Sequence, residues 1–203
     1  MLTKVILHLG FPKTGSSSLQ FGMFNALENI GHSSLFTWRK NDSNENLSKR
    51  PSSRLFNGQS ILPEYLNFTL GKRNILSDES FTAPIRLRRN NFGDQIIDPF
   101  LFPEMLKAQL TAAVPGDLEI KVLVIIRAQH KLIFSQYVEE YNLKKYKNVD
   151  ILRNSNGAID LNGYEIYNFA SYIQKIEQVF GSKNLNILLF EDWFHDNAIF
   201  AQK

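Results

Sequence analysis

Four short, nearly continuous apolar runs punctuate the chain: residues 4–9 (KVILHL), 74–77 (NILS), 121–126 (KVLVII) and 185–190 (LNILLF). Such runs, too dense for simple alternation, suit parallel strands covered on both faces. Between them the apolar spacing changes to the helical period. Residues 17–30 set Leu19, Met23, Leu27 and Ile30 on one stripe, and Gly31 is expected to stop that helix. Residues 103–113 open with Pro103, suited to a first turn, and end before Pro115 and Gly116. Residues 130–146 carry Leu132, Phe134, Tyr137, Tyr141 and Tyr146. Residues 164–180 carry Ile166, Phe169, Ile173, Ile176 and Phe180, with Gly181 as terminator. Strands alternating with helices predict an α/β fold: one domain over residues 1–203, a central parallel sheet flanked by helices, and right-handed crossovers. Residues 39–60 and 82–95 interrupt this rhythm and are expected to form long polar and basic loops. The second holds Arg86, Arg88 and Arg89, which read either as a solvated face or as a contact surface for an anionic acceptor or cofactor.

Composition narrows the partners without changing the fold. Hydrophobic residues make up 43% and charged residues 21% of the 203, which is globular, and the length suffices for one real core. A net charge of +3 offers no polybasic arm of the nucleic-acid kind, yet a mild positive bias suits a polyanionic ligand. The absence of cysteine excludes disulfides, thiolate metal sites and a cysteine nucleophile. His32, His130 and His195 show no metal-ligand spacing. The N-terminal apolar run is too short for a signal peptide, and no stretch approaches the roughly 20 residues of a membrane span. The expectation is a soluble, cytoplasmic protein.

The chemistry concentrates in residues 8–20, HLGFPKTGSSSLQ, which follow a strand and open a helix. There backbone N–H groups converge on anions. Gly10 and Gly15 have the spacing of a phosphate loop. A nucleotide-triphosphatase loop would follow its second glycine with Lys and Ser or Thr. Here Ser16 and Ser17 follow Gly15, and the lysine, Lys13, lies on the turn itself. Helix capping alone accounts for one serine, not for the lysine or both glycines.

Residues Pro12 to Ser17 resemble the 5′-phosphosulfate loop, P-K-[ST]-G-[ST]-[ST], of sulfotransferases that use 3′-phosphoadenosine 5′-phosphosulfate. A second stretch, KVLVIIRAQHKLIFSQY at 121–137, resembles the family's 3′-phosphate motif. Arg127 ends a strand, Ser135 follows eight residues later on a helix, and Gln129 stands where the family often has proline. A guanidinium at a strand's carboxyl edge and a helix hydroxyl together suit one phosphate. The stretch ILSDESF at 75–81 is similar to the family's strand end near the acceptor, and LLFEDW at 188–193 to its late strand and acidic turn.

The resemblance implies a P-loop NTPase-like sulfotransferase fold with a C-terminal part shorter than the family's usual helices and covering loop. It implies the nucleotide sulfate as co-substrate, no metal, and a hydroxyl or amine of a carbohydrate or small molecule as acceptor. Lys13, Thr14, Gly15, Ser16, Ser17, Ser18, Arg127 and Ser135 would bind the nucleotide. Lys13 would also act catalytically. Glu79 would serve as general base, with Asp78 as its substitute. His8, just before the loop, would assist the transfer or pack at the strand end. Two alternatives stand beside this reading: a P-loop nucleotide kinase, and a non-catalytic nucleotide-binding protein on the same scaffold.

Overall fold

A computed structural model of the chain describes residues 1–27, 30–34, 50–82, 98–142, 156–158 and 164–195. Five strands, β1 (Thr3–Gly10), β2 (Gly31–Ser34), β3 (Arg73–Ser77), β4 (Leu118–Ile126) and β5 (Leu185–Leu189), form one sheet in the order β2-β3-β1-β4-β5. Every pairing is parallel. The register sets His8 beside Ser77 and Gly10 beside Ile125, so the carboxyl ends of β1, β3 and β4 meet along one edge.

Helices cover the sheet unequally. After β1 comes α1 (Ser16–Ser18), which continues as a π turn (Leu19–Met23) and a 3-10 turn (Phe24–Ala26). Then follow α2 (Pro51–Phe56), α3 (Pro63–Leu66), α4 (Phe102–Ala113), α5 (Gln129–Asn142), α6 (Phe169–Phe180) and α7 (Phe190–His195). On one face Val5, Leu7, Leu9, Val122 and Val124 pack with Leu106 and Leu110 of α4, Leu132 of α5 and Tyr172, Ile176 and Phe180 of α6. On the other, Leu19 and Phe24 pack against Ile75 and Ile125 in a smaller cluster. The connection after β1 thus leaves toward one face while those after β3 and β4 leave toward the other. Such a reversal marks a topological switch point, and ligands of open α/β sheets bind at the strands' carboxyl ends beside one.

The four apolar runs all become strands, but two expectations need correction. Gly31 does not stop a helix; it begins β2, whose sequence GHSS carries no apolar signal and whose pairing with β3 defines it. A Cβ at Gly31 would collide with the Asn74 side chain of β3, so the close approach demands glycine there. The stripe of residues 17–30 buries Leu19 and Phe24, whereas Met23 and Leu27 are exposed. Within the stretch read as a loop over 39–60, residues 51–56 form α2. Leu55 and Phe56 are buried there, with Phe56 4.7 Å from the Phe102 ring, so tertiary packing overrides the polar local composition. Residues 39–49 and 83–95, with Arg86, Arg88 and Arg89, lie outside the described residues. The edge strand β5 is not covered on both faces, since Ile187 and Leu189 are exposed, as is Phe134 of α5. Tyr146 lies outside the described residues. Gly181, at φ 84, does terminate α6, its N–H bonded to the Glu177 carbonyl.

Candidate active site

The loop after β1 is built from its own side chains. Phe11 is fully buried, its ring centroid 4.8 Å from that of Phe169 and 5.8 Å from that of Tyr172, which pins the start of the turn in the core. The amide and hydroxyl of Thr14 both donate to the Phe11 carbonyl, at 3.2 and 2.6 Å, and close the turn on itself. Lys13 and Gly15 take left-handed backbone angles, φ 66 and 76. Gly15 does so freely; Lys13 does so at a steric cost. The Leu19 amide bonds to the Gly15 carbonyl at 3.1 Å, which starts the helix. The amides of the first turn keep no intrahelical acceptor and are available to an anion. Ser16 is buried, while Ser17 and Ser18 are exposed.

Two neighbouring strand ends clamp the loop. After β3, the Thr82 hydroxyl shares its one proton between the Gly10 carbonyl at 2.9 Å and the Glu79 carbonyl at 3.0 Å, tying the 3-10 turn Glu79–Thr82 to the end of β1. From β4, Arg127 Nη1 donates to the Lys13 carbonyl at 3.1 Å, and its guanidinium lies 4.9 Å from the Phe190 ring centroid. Glu191 of α7 accepts from the Ala128 amide at 3.1 Å, and the Gln129 amide group donates to the Tyr167 carbonyl at 2.7 Å. These contacts shape the turn into α5, on whose second turn the half-buried Ser135 lies.

The two acids of the 75–81 stretch have different surroundings. Asp78 is buried and receives Arg50 through both Nε, at 3.0 Å, and Nη2, while Arg50 Nη2 also donates to Ser80 Oγ at 2.7 Å. Arg50 thus engages both carboxylate oxygens of Asp78 in a fork. Glu79 is only partly buried and stands on the clamped turn beside the loop.

His8 is fully buried, edge-on to Phe24, with Nδ1 2.7 Å from Ser77 Oγ. Burial pushes its pKa down from 6.5 to about 4, so the ring is neutral at pH 7. It packs beneath the loop and is not part of its open surface.

The donors suit an anion. Ser16 Oγ, Arg127 Nε and His8 Nε2 are buried side-chain atoms with no hydrogen-bond partner among the described residues. Two of them crowd one point: a Cβ added at Gly10 would meet Ser16 Oγ and, at 2.8 Å, His8 Nε2. Ser16 Oγ and Arg127 Nε can donate to an oxyanion held in the loop, whereas His8 Nε2 lies beneath it. Among the described residues no group of three His, Asp or Glu side chains is arranged to hold a metal ion.

Of the residues singled out in the sequence, Arg127 contacts the loop at the Lys13 carbonyl, and Ser135 lies on α5. Sequence reasoning missed Phe11, Thr82, Arg50, Gln20, Ser77 and Glu191, which act through strand register and tertiary contact. Only Phe11, an aromatic between the two glycines, carried a local signal.

The sheet order and the loop after β1 define a P-loop-like α/β protein. No family model and no curated protein matches the chain. Among solved structures it is similar to the crystal structure of a sulfotransferase from Alicyclobacillus acidocaldarius. The TM-score is 0.54 over 96% of this chain and 76% of that chain, with 16% sequence identity. At that identity the likeness establishes the fold, and the chain has the sulfotransferase fold.

Proposed function

We propose that the protein is a sulfotransferase that moves a sulfuryl group from 3′-phosphoadenosine 5′-phosphosulfate to a hydroxyl, or an amine, of a carbohydrate or small-molecule acceptor. The observation that carries this reading is the loop itself. It is clamped by Thr82 and Arg127, carries its lysine before the second glycine, and bears buried donors that an anion would satisfy. The sulfotransferase fold supports it. A nucleotide kinase would need a lysine directly after Gly15, where this chain has Ser16.

On this reading Gly15, Ser16, Ser17, Ser18 and Thr14, through amides and hydroxyls, hold the phosphosulfate end, and Arg127 with Ser135 holds the 3′-phosphate. Lys13 neutralises the charge that grows on the bridging oxygen as the sulfur–oxygen bond breaks. Glu79 takes the acceptor proton while nucleophile and leaving group stand in line. Asp78 is not available for that role, because Arg50 engages both of its oxygens.

The test is ligand preference in thermal unfolding. Adenosine 3′,5′-bisphosphate should stabilise the protein more than AMP or ATP does. A ligand at 100 times its Kd contributes about 2.7 kcal/mol, a readily measured shift. Equal shifts for AMP and the bisphosphate would sink the reading.

A further inference from the structure

Arg50 stands directly before Pro51, whose ring disfavours helical backbone in the residue ahead of it. Arg50 is accordingly extended, φ −60 and ψ 129, and α2 starts just after it. Pro51, Ser52, Leu55 and Phe56 are buried, so Arg50 extends from a helix anchored in the core. Its side chain is only 14% exposed and reaches the turn after β3. Nε donates to Asp78 Oδ2 at 3.0 Å. The two protons of Nη2 go to Asp78 Oδ1 and to Ser80 Oγ, the latter at 2.7 Å. Asp78 Oδ1 also accepts from the Ser80 amide at 3.0 Å, and the Asp78 amide donates to the His8 carbonyl of β1. The fully buried Phe81 ring and the Thr82 hydroxyl hold the far side of the turn.

A joint between α2 and β3 would need only the Asp78 carboxylate. The third bond, to Ser80, makes one guanidinium grip the residue before Glu79 and the residue after it. We propose that Arg50 is a positioning residue for the transfer, holding Asp78 and Ser80 so that Glu79 between them keeps its place beside the loop. This rests on the reading of Glu79 as the base given above. Arg50 acts through the turn and takes no proton itself. The fork requires arginine. Lysine keeps the charge that Asp78 needs, but its single ammonium on a flexible stem does not reproduce the planar grip on three oxygens. A base must meet its proton within hydrogen-bond reach, and a misplacement of about 1 Å costs up to roughly a hundredfold in rate.

The experiment combines turnover with native-state hydrogen exchange in the full chain. The acceptors are 2-naphthol and N-acetylglucosamine, one for each acceptor class, with 3′-phosphoadenosine 5′-phosphosulfate as donor. Arg50→Lys should lower kcat about tenfold with KM changed less than about twofold. In a Glu79→Gln background the same change should cost less than about twofold, because the group it positions is already gone. The Ser80 and Phe81 amides should exchange about tenfold faster in Arg50→Lys, while those of β1 and β4 keep their rates. If Arg50→Lys does not fold, Ser80→Ala removes the third bond without stranding a charge and is read in the same way. Unchanged kcat, a loss that multiplies fully with that of Glu79→Gln, or a uniform rise in exchange across the sheet would each overturn the proposal. Failure of the wild-type protein to bind adenosine 3′,5′-bisphosphate would overturn the sulfotransferase reading instead. In that case, or if neither acceptor is sulfated, the exchange rates alone decide whether Arg50 holds the turn.

Discussion

Lys13 holds a backbone angle, φ 66, that side-chain-bearing residues avoid, and this allows its backbone and its charge to be tested apart. Lys13→Gly removes the steric cost of the left-handed region, roughly 1 kcal/mol, and should raise thermal stability. Both Lys13→Gly and Lys13→Ala should lower kcat by about 10²–10³, the scale of losing one donor aimed at developing charge, with a smaller change in bisphosphate affinity. Normal turnover in either variant, measured with an identified acceptor, would leave the loop as a nucleotide clamp only. Arg127 differs, because its Nη1 already supports the Lys13 carbonyl. Arg127→Ala should weaken the bisphosphate by about 1.5–3 kcal/mol and AMP by less. Equal weakening in a calorimetric titration would mean that Arg127 serves the loop and not the 3′-phosphate.

Between elements, Asp78 and Arg50 join the end of β3 to the start of α2, and removing one partner strands the other charge. Asp78→Ala should cost about 3–5 kcal/mol in denaturant unfolding. Glu79→Gln, one residue away on the clamped turn, should leave the midpoint nearly unchanged and slow the transfer. The reverse pattern would exchange their roles. This contrast was invisible in ILSDESF, where the two acids look alike and the partner of one is 28 residues upstream. The same limit applies more widely. β1, β3, β4 and β5 were legible because apolar density is a local signal, and Gly10, Lys13, Gly15 and Arg127 because their spacing is. β2 was not legible, since GHSS becomes a strand only through its pairing with β3, and neither was α2, whose Leu55 and Phe56 find their core in Phe102 and its neighbours. The His8–Ser77 contact follows from strand register, which no short motif encodes.

For the molecule as a whole, the buried His8 links stability to pH. Its folded pKa of about 4 lies below the ordinary 6.5, so below 6.5 the unfolded chain binds the proton more readily than the folded one. The His8 contribution is therefore complete above pH 6.5 and declines as pH falls toward 4, by about 3 kcal/mol in all. Chemical unfolding across that range should show the decline, and His8→Asn should remove most of it relative to wild type. A parallel slope in the variant would place the titration elsewhere. The clamps on the loop have a different consequence, one of timing. Thr82 and Arg127 reach Gly10 and Lys13 across sequence separations of 72 and 114 residues. Contacts of such span form only after the intervening chain has closed, which makes them late events in folding. During refolding from denaturant, helical signal should thus recover before nucleotide binding does. The loop completes its shape only when both flanking strands have docked, and its ligand reports the last stage of folding rather than the first.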